Sequence, residues 1–238
     1  MAEVDIVGNR KLGSQRKPAR GQACNPIDKE QVTVDVLPVV GHRWGKSGQP
    51  DLRKDRLVRL QAHAVMFDSA NFHATETLRD GRMVEIRALH PQDREALHTA
   101  VMRCSTETLY HRFFAVKREF SEKEIHFFLD IDFVTHVALA AVANEDGRET
   151  IVGSCRYVVV APERAEVAFL VIDDYQRKGL GTVLMRRLAA IAREAGLKEL
   201  VAEVLADNAP MLKVFEHSGL ATAEKHEGPV VHVTLRCG

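Results

Sequence analysis

The chain has 238 residues, 45% of them apolar, and its 33 basic and 33 acidic side chains balance to a formal net charge of zero. That length fits one ordinary domain plus a sizeable extra piece, that composition can build a full core, and the balanced charge argues against nucleic acid as the main partner. Cys24, Cys104, Cys155 and Cys237 form no CxxC pair, so no zinc site or disulfide framework is indicated, and no run nears the roughly 18 apolar residues of a membrane span or the apolar centre of a signal peptide; a soluble, cytoplasmic protein is expected.

Residues 1–75 read as a leader, largely disordered. The first 60 hold 12 basic and 7 acidic residues, several glycines and prolines, and only short apolar stretches such as VTVDVLPVV, with no sustained period of 2 or 3.6. The sharper alternative is a small docking segment anchored by Trp44, the only tryptophan. A regular domain is expected over 76–238. RMVEIRAL (82–89) alternates like a strand, and HPQDREALHTAVMRC carries Pro91 and Asp93 where a helix start favours them. After STETLYHRFFAV comes SEKEIHFFLDI, a helix opening on Ser121 with Glu124 as its capping-box partner. THVALAAVA (135–143) and ETIVGSCRYVVV (149–160) read as paired strands joined by the turn NEDGR, and ERAEVAFLVI (163–172) as a central strand.

DDYQRKGLGTVLMRRLAAIAREAG (173–196) is a loop running into a helix. Leu184, Leu188, Ile191 and Ala195 make one apolar stripe, so the helix begins near Gly179 and ends on Gly196 in a left-handed conformation. KELVAEV (198–204) is then a buried strand, NAPMLKVFEHSG a helix, and GPVVHVTLR a closing strand. A helix start leaves N–H groups unpaired, with partial positive charge, where a phosphate fits. Gly179 and Gly181 keep side chains off that spot, and Arg177 and Lys178 add charge. A turn that uses glycine for geometry alone is the bland alternative. There is no GxxxxGK[ST], and no third glycine for a dinucleotide loop.

QRKGLG (176–181) resembles the Q/R-x-x-G-x-G/A signature of the GNAT acetyltransferases, and LADNAPMLKVFEHSGL resembles their second signature. LYHRFF, ERAEVAFLV, DDYQRKGLG and ADNAPM together look most like the Pat-type protein lysine acetyltransferases, which acetylate and silence acyl-CoA synthetases. The resemblance covers about two thirds of the chain. It implies an α/β (α+β) GNAT fold: a mixed, mostly antiparallel sheet of six to seven strands with splayed central strands, flanked by about four helices. It implies acetyl-CoA as co-substrate, its diphosphate held by Gln176, Arg177, Lys178, Gly179, Leu180, Gly181 and Thr182. Its thioester would lie along a bulged strand at Phe169, Leu170 and Val171, and Asn208 would hydrogen-bond the pantetheine arm or serve as a plain helix cap. Pat-type enzymes often attach a cyclic-nucleotide-binding or synthetase-like domain. Residues 1–75 are too short and polar for either, so no cyclic-nucleotide control is expected.

Such chemistry needs a base, because a free lysine, with a pKa of about 10.4, is almost wholly protonated at neutral pH. Glu166 is the first candidate, a carboxylate in an otherwise apolar strand, sharing a face with Ala168, Leu170 and Ile172. A strand-end glutamate paired with Arg164 or another surface cation is the alternative. Glu203 in KELVAEV is the second candidate, or a solvent-facing end residue. Many GNAT enzymes place a tyrosine acid seven residues after the Asn, but Phe215 stands there, as Pat-type enzymes also lack that tyrosine. Tyr157 and Tyr175 are weak substitutes. Phe113–Phe114 and Phe127–Phe128 read as core or as the wall of an acceptor channel. The eleven histidines show no metal-ligand spacing, and no metal is expected. The expected activity is acetyl transfer to a protein lysine, an acyl-CoA synthetase being the type of partner. A small-molecule amine acetyltransferase and a non-catalytic acyl-CoA sensor are the rivals.

Overall fold

The computed structural model describes residues 68–238. The anchor expected at Trp44, and the leader expected over 1–75 as far as residue 67, lie outside the described residues. Eight strands form one sheet: β1 (His73–Thr77), β2 (Met83–Ala88), β3 (His136–Glu145), β4 (Arg148–Ala161), β5 (Arg164–Val171), β6 (Glu199–Leu205), β7 (Ala221–Glu227) and β8 (Val230–Arg236). Their order is β1-β2-β3-β4-β5-β6-β8-β7. Every neighbouring pair is antiparallel except β5–β6, the one parallel pair and so the one that needs a crossover. The helix α4 (Leu180–Glu194) supplies it, preceded in the chain by α1 (Arg94–Met102), α2 (Thr106–Phe113) and α3 (Glu122–Leu129) and followed by α5 (Ala209–Glu216).

The sequence patterns explain these elements. The first eight residues of β3 are buried, as befits a strand covered on both faces. It turns into β4 through Asp146 and Gly147 with φ of 52° and 80°, the pair of positive values a type I′ hairpin requires. Ser121 accepts from the Glu124 N–H at the start of α3, and Glu124 reciprocates, which completes the expected capping box. The stripe is buried as read, with Leu184, Leu188 and Ile191 of α4 and Ala195 just past its end all in the core. Gly179 caps the helix at φ 89° and Gly196 follows it at φ 78°.

The mixed, mostly antiparallel fold stands as expected, with eight strands rather than six to seven and five α-helices rather than about four among the described residues. The unexpected strands are the two edges, whose burial is slight in β1 and almost nil in β7. β1 starts at His73, ahead of the boundary expected at 76.

The sheet has two unlike faces. On one, Gly153 leaves room for α4, because a side chain there would meet Leu180 and Leu184 at 3.2 and 3.5 Å. On the other, α1, α2 and α3 cover the Ser154, Arg156, Ala168 and Leu170 side of β4 and β5 and enclose a cavity.

Candidate active site

Register opens the centre of the sheet. β5 pairs with β6 only through Arg164, Ala165 and Glu166, opposite Glu199, Leu200 and Val201. From Val167 onward the strands part, although β5 stays paired with β4 as far as Val171. Splayed central strands are therefore present. The bulge expected in β5 falls instead on β4, between Val159 and Ala161. The fork exposes two facing strand edges whose peptide groups are free to meet a slender ligand.

The glycine loop sits at the carboxyl end of β5. Arg177 and Gly179 both have positive φ, 57° and 89°, a geometry that gathers successive N–H groups into an anion-binding concavity. The first α4 amide to find a carbonyl is that of Val183, on Gly179 at 3.0 Å. The N–H groups of Leu180, Gly181 and Thr182 precede it and are available to an anion. Arg177 is exposed, and Lys178 bonds the Asp174 carbonyl and lies 3.7 Å from Asp80. At Gly181 an added Cβ would lie 3.1 Å from Val214, so this glycine also lets α4 approach α5. Gln176 is a strut: its Nε2 donates to Thr108 Oγ1 at 2.8 Å and to the Val171 carbonyl at 3.0 Å. A diphosphate with a thin acyl-bearing arm fits this combination of loop and fork.

Glu166 is the last β5 residue paired with β6, so it sits in the crotch of the fork, half-buried, on the face of Ala168 and Leu170. Arg164 pairs with Glu199 at 2.8 Å, which removes it as the expected partner of Glu166. A charged neighbour is Arg112 of α2: burial pulls its pKa down to about 10, and the Glu166 carboxylate opposes that pull. Val201 faces Glu166 across the pair, so Glu203, next but one on β6, points to the same face from the other arm. Glu203 is half-buried and lies 3.4 Å from His232 of β8, whose other nitrogen is 3.4 Å from Glu227. At the outer end of that arm, His111 of α2 meets Asp207 at 3.2 Å.

On this face lies the cavity, of about 430 Å³. Phe113, Phe120 and Phe128 wall it, with ring centroids 5.2–6.3 Å apart, while Phe127 stacks on His136 at 5.2 Å. Ser154, Arg156, Ala168 and Leu170 form its floor. Arg156 is 4% exposed and donates to the Phe128 carbonyl at 3.3 Å. Its pKa falls to about 9, chiefly through burial and then through the like charge of Arg112.

The other expected residues divide. Phe169 stacks edge-on against Phe215 at 5.9 Å, on the α4 side. Asn208 caps α5, accepting from the Met211 N–H at 3.2 Å. Tyr157 is fully buried, in register with Val167. Tyr175 lies under the Arg82 guanidinium at 3.8 Å, its pKa raised by burial and then by the nearby Glu145, so neither tyrosine joins the Glu166 face. Arg112, Ser154 and Arg156 went unnoticed in the sequence. The rule that singled out Glu166, a charge inside an apolar strand, applies equally to Arg156. Among the described residues no cluster of His, Cys, Asp or Glu is arranged to hold a metal, and no helix is long and apolar enough to cross a membrane.

Comparison with known proteins gives a consistent picture. The family model described as "Acetyltransferase (GNAT) family" matches residues 94–220. An acetyltransferase of Pseudomonas aeruginosa is 37% identical over 140 residues, 58% of this chain and 75% of that protein. Acetyltransferase Pat of Mycolicibacterium smegmatis is 30% identical over 156 residues, 65% of this chain but 46% of that longer protein. Among solved structures, the GNAT domain of S. lividans PAT superposes with a TM-score of 0.63 at 35% identity, covering 69% of this chain and 96% of that domain.

Proposed function

This chain belongs to the acetyltransferase (GNAT) family, and on that footing we propose that it transfers an acetyl group from acetyl-CoA to the ε-amine of a protein lysine, with Glu166 as general base. The observation that carries the reading is the position of Glu166 at the point where β5 and β6 part. A thioester drawn into the fork from the glycine loop ends beside that carboxylate. The resemblance to the Pat-type lysine acetyltransferases, with the similarity to the GNAT domain of S. lividans PAT, supports a lysine acceptor, as does a cavity with an aromatic wall able to take a methylene chain.

Bound acetyl-CoA supplies an activated acyl carbon and a thiol leaving group. The chain's own residues do the rest. The amides of Leu180, Gly181 and Thr182, with Arg177 beside them, hold the diphosphate. The open β5 edge at Phe169 and Val171 presents N–H groups to the acyl arm and its carbonyl. Glu166 takes the proton from the incoming ammonium, directly or through a water, so that a neutral amine attacks. Arg112, the cation beside Glu166, holds that carboxylate in place to receive the proton. Glu203, already engaged with His232, polarises water on the opposite arm.

The test is Glu166→Gln. The variant should bind coenzyme A as the wild type does and transfer acetyl more than tenfold more slowly. Equal rates remove Glu166 from the mechanism. Mass spectrometry of a cell lysate treated with the enzyme and labelled acetyl-CoA should show label on lysines, and label confined to small amines refutes the protein acceptor.

A further inference from the structure

The cavity floor carries a positive charge that no carboxylate among the described residues answers. Arg156 is 4% exposed, yet among the described residues no ion pair reaches it. Its bonds go through Nη1 alone, to the Phe128 carbonyl at 3.3 Å and against His136 Nε2 at 3.2 Å, while Nε and Nη2 take no hydrogen bond among the described residues. His136 cannot neutralise it: burial, and then Arg156 itself, push that imidazole down to about 3, so it stays neutral. The Phe128 ring, 4.9 Å from the guanidinium, softens the charge without cancelling it. Arg112 adds a second cation, matched by Glu166. Glu95 and Glu119 stand only at the exposed mouth.

Beside Arg156 on the same strand face is Ser154, 7% exposed, whose hydroxyl likewise has no hydrogen bond among the described residues. The unused donors open on the cavity that Arg156 and Ser154 line, where an anion that enters meets a guanidinium with no ion pair of its own among the described residues. A planar fork of N–H groups with a hydroxyl nearby suits a carboxylate.

We propose that Arg156 and Ser154 form a carboxylate site on the cavity floor, filled by a carboxylate that the acceptor itself carries. The preferred acceptors are then lysine ε-amines with a carboxylate in reach, the α-carboxylate of a C-terminal lysine being the simplest. This rests on the reading that the amine reacts at Glu166. Arg156 pairs with Ala168, so it lies diagonally from Glu166, a separation of about 7–8 Å between backbones that the chain of a lysine can bridge. The aromatic wall takes the methylenes between the two ends.

The experiment compares Nα-acetyl-lysine with Nα-acetyl-lysine amide, which offer the same amine with and without the carboxylate. In the wild type, kcat/KM should favour the acid on the order of tenfold to a hundredfold. In Arg156→Gln the ratio should fall to near one, with Ser154→Ala between. Should Arg156→Gln fail to fold, the wild-type ratio and the Ser154→Ala variant decide. Equal use of acid and amide, preference for the amide, or use of neither while lysate proteins are labelled overturns the proposal. Acetylation of the amide that rises with added acetate, relative to chloride at equal ionic strength, keeps the site but overturns the acceptor as the source of its carboxylate. If Glu166→Gln leaves both rates intact, it is the base assignment that fails, whatever the acid-to-amide ratio.

Discussion

Acidification should weaken the fold through His136 before any carboxylate contributes. Burial, reinforced by the Arg156 charge and only partly offset by Asp132, pushes this imidazole down to about 3, against about 6.5 in an unfolded chain. Between those values the unfolded chain binds a proton that the folded one refuses. Stability is therefore fully present above about pH 6.5 and lost as pH falls toward 3. The whole gap corresponds to about 5 kcal/mol, and the loss between about pH 7 and about pH 5 comes to about 2 kcal/mol. Glu76, Asp93, Glu124 and Asp132 are pulled up by burial but held down, on balance, by Arg186 and Arg187, Arg87, Lys117 and Thr135 respectively. Their losses come below about pH 4.5, outside this window. Urea unfolding at the two pH values measures the effect. The wild type should lose about 2 kcal/mol, and His136→Gln, which keeps an acceptor for Arg156, less than half of that. Equal losses in both proteins would mean that His136 is protonated in the fold, and the uncompensated charge at Arg156 would need another account.

Three further substitutions separate structural from chemical roles. Gly179→Ala places a side chain at φ 89°, which should cost about 1–2 kcal/mol in urea unfolding and weaken coenzyme A binding; unchanged stability would show that the loop relaxes to another conformation. Tyr175→Phe removes a hydroxyl that lies near Glu145 and away from the Glu166 face, so it should leave the transfer rate alone, whereas a rate loss would make Tyr175 an acid. Glu203→Gln should slow transfer by less than Glu166→Gln does, since Glu203 lies on the outer arm against His232; the reverse order in steady-state kinetics would exchange the two roles.

What the sequence disclosed follows from what local pattern encodes. The α4 stripe, the α3 capping box and the Asp146–Gly147 turn are local, and each lies where its pattern put it. HATET and ATAEKHE escaped because edge strands bury little and need no alternation; their partners β2 and β8 hold them. The fork escaped for the opposite reason. ERAEVAFLV is apolar along its length, and nothing in that run says that pairing with β6 ends at Glu166. Only the resemblance suggested it. Arg112 and Arg156 lie 44 positions apart, and their approach depends on α2 crossing the face of β4 and β5, which no periodicity records. At Gly181 the sequence suggested room for a ligand, and the fold adds the close approach of Val214.

A sheet opened at its centre gives up stability that a ligand can return. The facing edges of β5 from Val167 to Val171 and of β6 from Ala202 to Leu205 lack each other as partners, and a buried peptide group without a partner costs about 1–3 kcal/mol, so water or a ligand must fill the gap. The glycine loop alone would recognise a bare diphosphate, whereas loop and fork together recognise a diphosphate joined to a slender amide-bearing arm. Coenzyme A should accordingly raise the unfolding temperature well above what inorganic pyrophosphate achieves at equal concentration, with a stabilisation of about 2.7 kcal/mol at a hundredfold excess over its Kd. Equal shifts from the two ligands would confine recognition to the loop and leave the parted strands without a part in holding the donor.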